Sequence, residues 1–348
     1  MKFDSRPESD KVTVHDTGQK RSPSSLPPRV SVILPAYQAA RYISEALESI
    51  FGQTFQDFEV IVINDGSPDT PQLETVLQPY AGRIRYLKQS NHGVSAARNF
   101  AIQQSCGELL AFLDSDDIWL PKYLEAQVQF LDHNPRAAAA IADVIRFGEL
   151  MGSPNLRRML SPGVNPLLNF EQMLRRQGSQ LPSATVVRRA KAIEVGLFDE
   201  QLRVGEDLDF CIRLCFSHGA IGYTKQALVK YRKHGAGATG KLGARDITSN
   251  EAECLRRLGK KLPLTVAQLS LLDREIAALE AELAMMDAYE GLSSQAFDKA
   301  AENLAQANAY YRDKRILLAL YALRIFPRWT ARYLLSRRKA VSAAGGRG

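Results

Sequence analysis

Between residues 30 and 113, short β-branched runs alternate with stretches of helical period. Val30-Ser31-Val32-Ile33-Leu34, stopped by Pro35, predicts a buried strand, because β-branched side chains suit a pleated surface and proline cannot donate to a ladder. Over 39–51, Tyr42, Ile43, Ala46, Leu47 and Ile50 fall on one face of a 3.6-residue period, which predicts an amphipathic helix. Residues 58–63 predict a second strand. The Asn64-Asp65-Gly66-Ser67-Pro68-Asp69 that follows is turn chemistry with an acid at its tip. A helix over 70–77, a strand over 83–87, a helix over 93–104 that opens on Gly, Ser and Ala, and a strand over 109–113 complete the series. Strand and helix at this spacing predict a mostly parallel α/β sheet.

Beyond residue 117 the rhythm loosens. An amphipathic helix is expected over 122–132, strands over 137–147 and 184–188, and a short strand over 227–231. Residues 148–166 are a Gly/Pro/Asn-rich loop, long enough to be a lid or an insertion. Glu206-Asp207 opens a helix whose Leu208, Cys211, Ile212 and Cys215 face inward. Arg232-Lys233-His234 leads into a Gly-rich stretch, 235–243, and from Ile247 onward the chain reads as helix, with 265–289 and 293–312 as an antiparallel hairpin. The expected organisation is a disordered leader (1–28), an α/β domain (29–245), a helical extension (246–312) and a basic amphipathic tail (313–348).

Charge changes this picture more than composition does. The 45% apolar, 24% charged chain carries a net +7, but nine basic residues and no acid lie from Lys314 onward, so the rest carries −2. That distribution argues against a nucleic-acid-binding body. Arg324, Arg328 and Arg332 recur every four residues beside Phe326, Trp329, Tyr333 and Leu334, and Pro327 divides the segment into two short helices. Two readings fit: peripheral contact of 314–339 with an anionic membrane, or a terminal helix packed on the protein with solvated arginines. No run of 18 apolar residues predicts a spanning helix. The four cysteines form no CxxC pair; Cys211 and Cys215, one helical turn apart in an apolar stripe, read as core thiols, and a reduced, cytoplasmic setting follows.

The strand at 109–113 ends in Asp114-Ser115-Asp116-Asp117. Burying an unpaired carboxylate costs several kcal/mol, so the acids belong where the strand emerges. In a parallel sheet that edge also receives Pro35-Ala36-Tyr37 and Asp65, the ends of the first two strands. A metal bridging two phosphates needs one or two carboxylates. A ribose hydroxyl and a base N–H each want a further acceptor. The expected chemistry is a divalent-metal and nucleotide site.

These pieces, with Gln53-Thr54-Phe55, Asn91-His92-Gly93-Val94-Ser95-Ala96-Ala97-Arg98-Asn99, Val195-Gly196-Leu197-Phe198-Asp199-Glu200 and Gly205-Glu206-Asp207-Leu208-Asp209-Phe210, stand in one order over residues 29 to about 235. In that order the chain resembles the family 2 glycosyltransferases, inverting enzymes of the nucleotide-sugar-binding GT-A fold. Asn64 and Ala101 stand where the family often has Asp and Gly. The resemblance implies a base pocket of Pro35, Ala36, Tyr37 and Asp65, nucleotide contacts from Arg98 and Ser115, and ribose binding by Asp114. It implies Mn²⁺ or Mg²⁺ on Asp116, with His234 as a second ligand or an ordinary loop histidine. Asp117 supports the metal or shapes the turn. Asp207 would be the general base, with Glu206 orienting the acceptor, although Asp207 could be a plain helix cap. Asp69 and Asp199 read as turn residues. A helix N-terminus lowers a carboxyl pKa while burial near a diphosphate raises it, so Asp207 faces opposing influences.

The resemblance further implies a nucleotide-sugar donor, most simply a UDP-sugar, and a glycan or lipid-linked glycan acceptor, as in surface polysaccharide synthesis at the cytoplasmic membrane face. A nucleotidyltransferase would need a Gly-rich, Lys/Arg-bearing phosphate loop after the first strand, which Pro35-Ala36-Tyr37-Gln38 is not. A non-catalytic glycan-assembly partner would have no use for the full set of acids.

Overall fold

The computed structural model describes residues 26–151, 155–157, 166–177, 180–235, 237 and 242–345, with side chains to residue 337. The leader reading of 1–28, the lid reading of 148–166 and the Gly-rich 235–243 stretch fall largely outside these residues. The alternation is realised as β1 (Val30–Ala36), α1 (Ile43–Phe51), β2 (Phe58–Asp65), α2 (Thr70–Leu77), β3 (Arg85–Gln89), α3 (Val94–Gln104) and β4 (Leu109–Phe112). The first helix starts later than its periodicity suggests. Gln38 adopts a left-handed φ of 52°, and the N–H groups of Tyr42 and Ile43 both close on the Ala39 carbonyl before regular helix begins.

There follow β5 (Ile118–Trp119), α4 (Tyr123–His133), β6 (Ala139–Phe147), β7 (Asn155–Arg157), β8 (Leu167–Leu168), α5 (Phe170–Leu174), β9 (Thr185–Arg188), α6 (Arg189–Glu194), α7 (Glu206–His218) and β10 (Ile221–Arg232). The expected short strand over 227–231 is instead twelve residues long. Its pairing with β6 shifts register between Tyr223 and Ala227, where Lys225 takes a φ of 58°. That bulge interrupts the period-2 alternation, so the first half of the strand reads as loop.

All these strands join one sheet, ordered β3-β2-β1-β4-β9-β6-β10-β5, with β7 on β6 and β8 on β10. β1 pairs in parallel with β2 and β4, while β9 runs antiparallel between β4 and β6. Ile33, Val62 and Leu110, fully buried, belong to strands covered on both faces. Because β1 has later strands on either side, the chain reverses its order of addition there, and ligands bind at such switch points beyond the strand C-termini.

The chain divides into two compact units, 1–241 and 242–348. The second contains α8 (Ala244–Lys261), α9 (Val266–Ser293), α10 (Phe297–Tyr311), α11 (Lys314–Ile325) and α12 (Pro327–Gly345). Thr265 caps α9 by accepting from Gln268 N–H. Pro327 is tolerated as the first residue of α12, where its missing N–H costs nothing. Ala288, Leu292, Ala300, Leu304, Leu323 and Ala331 form an apolar cluster within this unit. Cys211, Cys215 and Cys254 are buried and Cys106 is exposed, none of them in a disulfide.

Candidate active site

Parallel pairing sets Ala36 opposite Asn64, and Ile33 opposite Phe112, so β1, β2 and β4 end on one edge of the sheet. Pro35 and Ala36 are buried there, and Tyr37 is exposed. Asp65 is buried at the end of β2, where its carboxylate accepts from the Gln89 amide (2.7 Å) and from the backbone N–H groups of His92 and Gly93 (2.9 Å each). A carboxylate offers about four acceptor directions, so one stays open. Gly66, at φ 60°, passes so close to Asn91 that a Cβ would lie 2.5 Å from its backbone nitrogen. Asn64 is satisfied inside the same turn, donating to Thr70 and Tyr86 and accepting from Ser67 N–H. Asp69 accepts from Ala40 N–H and from Ser67, tying this turn to the one after β1, and Asp199 accepts from Gln201 N–H within its own turn.

Arg98, 2% exposed, donates to Asp114 Oδ1 (2.7 Å) and to Glu206 Oε1 (3.0 Å). Burial works against its charge, but the two carboxylates more than offset this and hold the guanidinium protonated. It thereby ties the end of β4 to the start of α7. Glu206 is correspondingly engaged by Arg98. Ser115 is half-buried beside Asp114.

Asp116 and His234, 118 residues apart in sequence, meet with Oδ2 and Nε2 2.8 Å apart. Burial raises the Asp116 pKa, as does the nearby Asp114 charge, against the opposing pull of His234. His234 is buried, its Nδ1 lacks a hydrogen-bond partner, and its ring meets Tyr42 edge-on at 4.8 Å. Among the described residues no three His, Cys, Asp or Glu side chains cluster as a complete metal cage. One carboxylate and one imidazole fit a divalent ion that takes its remaining ligands from diphosphate oxygens and water.

Asp117 is 1% exposed and accepts the Arg232 N–H at 2.9 Å. Burial, then the charges of Asp116 and Asp114, push its pKa well up. Of its two sequence-level roles, shaping the turn fits this burial. Arg232 also donates from Nε to the Asp116 carbonyl (2.8 Å), pairs with Glu45 (2.9 Å), and lies 4.5 Å from the rings of both Tyr42 and Phe147. Sequence reasoning missed this clamp, and it missed Ser183, whose Oγ accepts from Asp114 N–H and whose carbonyl accepts from Trp119 Nε1. A positive residue before His234 was the one available signal.

Asp207 is the second residue of α7, which starts after Gly205 at φ 86°. Its carboxyl accepts from Leu208 N–H (2.7 Å) and lines a small cavity with Phe112, Pro182, Phe198, Phe210 and Cys211. Burial, then repulsion from Glu206, pushes its pKa up to about 7, against the weaker pull of the Leu208 N–H and Arg98. Burial therefore outweighs the helix terminus. Phe198 is held there by Asn99, whose amide exchanges hydrogen bonds with the Phe198 backbone (2.9 and 3.0 Å). Arg213 braces the same turn through the carbonyls of Val195 and Leu197.

Residues 31–192 match the family described as Glycosyl transferase family 2. An uncharacterized glycosyltransferase of Rickettsia felis is 30% identical over 229 residues, which is 65% of this chain and 37% of that protein. The minor teichoic acid biosynthesis protein GgaB of Bacillus subtilis is 31% identical over 207 residues, 58% of this chain and 23% of GgaB. The match thus spans little more than a third of such relatives, or less. The crystal structure of S. aureus TarS, residues 1–349, in complex with UDP-GlcNAc aligns with a TM-score of 0.59 at 19% identity, over 90% of this chain and 92% of that one, a likeness of fold. Through residues 31–192 of the α/β domain that carries the acid-ended strands, the chain is similar to glycosyl transferase family 2, and its fold is the GT-A fold.

Proposed function

We propose that the protein is an inverting, metal-dependent glycosyltransferase. It transfers a sugar from a nucleotide sugar, a UDP-sugar in the simplest case, to a hydroxyl of a glycan or lipid-linked glycan. The UDP-GlcNAc complex of TarS and the teichoic acid role named for GgaB support this donor class and a place in surface polysaccharide synthesis, which puts the enzyme in the cytoplasm or on the cytoplasmic face of the membrane. The observation that carries the reading is Asp207. It is a carboxyl with a pKa of about 7, and its neighbour Glu206 is tied through Arg98 to Asp114.

Asp65 uses its remaining acceptor direction for the base N–H, with Pro35, Ala36 and Tyr37 around the ring. Asp114 and Ser115 take the ribose, with Arg98 holding Asp114 in place. Asp116 and His234 hold the divalent ion, which when bound supplies Lewis-acid stabilisation of charge on the departing diphosphate. Asp207 removes the proton from the acceptor hydroxyl as that oxygen bonds to the anomeric carbon. The carbon–oxygen bond to the diphosphate breaks, its electron pair leaves with the nucleotide, and the configuration inverts. Glu206 fixes the start of α7 and with it the position of the base.

A nucleotidyltransferase is disfavoured by the turn after β1, whose Gln38 and Ala40 N–H groups are occupied by Ser67 (2.7 Å) and Asp69 (2.9 Å) and cannot cradle phosphates. The test is a pair of substitutions assayed with UDP-sugars and Mn²⁺. Asp207→Asn lowers transfer by about 10²–10⁴-fold and leaves metal-dependent UDP binding intact, whereas Asp116→Ala loses both. Full transfer by either variant refutes the role given to that residue.

A further inference from the structure

The two terminal helices are apolar on more than one face, and folding uses only one. Leu323 of α11 and Ala331 of α12 are buried in the apolar cluster within the helical unit, with Leu320 and Leu334 packed against it. A separate set stays in solvent: Leu318, Tyr321, Ile325, Phe326, Trp329 and Tyr333. Leu318, Ile325 and Trp329 are 68%, 68% and 69% exposed. Single exposed apolar side chains are ordinary, but six large ones within sixteen residues mark an interaction surface. Residues 318, 321 and 325 follow each other at helical spacing on α11. Trp329 and Tyr333 do so on α12, with their rings nearly parallel, 6.0 Å apart.

The charge around this surface selects its occupant. Lys314, Arg315, Arg324, Arg328, Arg332 and Arg337 are all exposed, and no acidic residue occurs from 314 to the end of the chain. A second copy meeting the same surface would bring two uncompensated cationic faces together, which is unfavourable. An anionic lipid surface satisfies both features. It attracts the arginines, and its headgroup boundary suits Trp and Tyr rings with one polar edge. No helix among the described residues is long and apolar enough to cross a membrane. We propose that α11 and α12 dock on an anionic bilayer and lie in the plane of its headgroups. The inference stands on these helices and is independent of the chemistry assigned to Asp207.

Sedimentation of the full chain with phosphatidylcholine vesicles, with and without phosphatidylglycerol, tests it. Binding is expected to the anionic vesicles and to fall as salt rises. A triple variant Phe326→Ser, Trp329→Ser, Tyr333→Ser loses at least about tenfold in vesicle affinity. A second variant, Arg324→Gln, Arg328→Gln, Arg332→Gln, loses on the order of a hundredfold and has a flatter salt dependence. Hydrolysis of the UDP-sugar donor is unchanged in both, which separates loss of docking from loss of activity. No binding of the unaltered chain to anionic vesicles, or equal binding by the serine variant, overturns the proposal. So does a self-associated chain that the serine variant dissociates and that ignores vesicles.

Discussion

At the scale of single residues, Asp207 makes the strongest claims because its environment acts on chemistry and on stability in opposite directions. A base must be deprotonated, so kcat/KM should rise with pH through about 7 and level off above it. Asp207→Asn should lower turnover by about 10²–10⁴-fold and remove that limb of the profile. The same pKa has a stability consequence. The folded carboxyl binds its proton more tightly than the unfolded one, whose pKa is near 3.8, so the native state loses stability as pH rises from 4 towards 7. The cost is fully present above pH 7. Asn carries no charge there, so Asp207→Asn should melt higher than the parent at pH 8, with the difference shrinking at pH 4. Equal melting differences at both pH values would mean that Asp207 is not held protonated by its surroundings. Glu206, one residue earlier, is instead engaged by the Arg98 guanidinium, so environment divides the roles of two adjacent acids.

At the scale of elements, the site depends on how the turns between strands and helices are made. Gly93 opens α3 at φ 90°, ψ 165°, a region nearly closed to other residues, and its N–H is one of the two backbone donors to Asp65. A Cβ at Gly93 would meet nothing within 4 Å, so any effect of Gly93→Ala is conformational rather than a clash. The substitution should cost about 1–3 kcal/mol of stability. It should also weaken donor binding about tenfold by shifting the Asp65 carboxylate, as read by UDP titration calorimetry. Unchanged UDP affinity would mean that Asp65 does not depend on this turn. The turn after β2 was legible in the sequence because its chemistry is local: Asn64-Asp65-Gly66 carries its own conformational signal. The clamp formed by Arg232 was not, since it reaches Asp117 across 115 residues and leaves no periodicity behind. The first half of β10 was hidden for another reason, the bulge at Lys225 that breaks the alternation by which strands are recognised.

At the scale of the whole molecule, the two units pack separate apolar clusters among the described residues. The α/β unit buries a large sheet-centred cluster around Val32, Leu34, Val62 and Ala111, whereas α9 to α12 of the helical unit share a small one in which alanines and leucines bring helices close. Gly291 illustrates that closeness, since a Cβ there would lie 3.1 Å from the Ala300 Cβ. Leu292, 2% exposed, is one of the few large side chains in the small cluster. Leu292→Ala removes most of its contacts and leaves a void that the neighbouring helices only partly fill, a change that costs about 2–5 kcal/mol. A loss of that size is a large fraction of what a domain of this length has in hand. Hydrogen exchange should therefore report lost protection across α9 and α10, while the amides of β1, β2 and β4, which belong to the other core, keep theirs. Loss of protection in those strands at the same temperature would mean that the two cores unfold together as one cooperative unit.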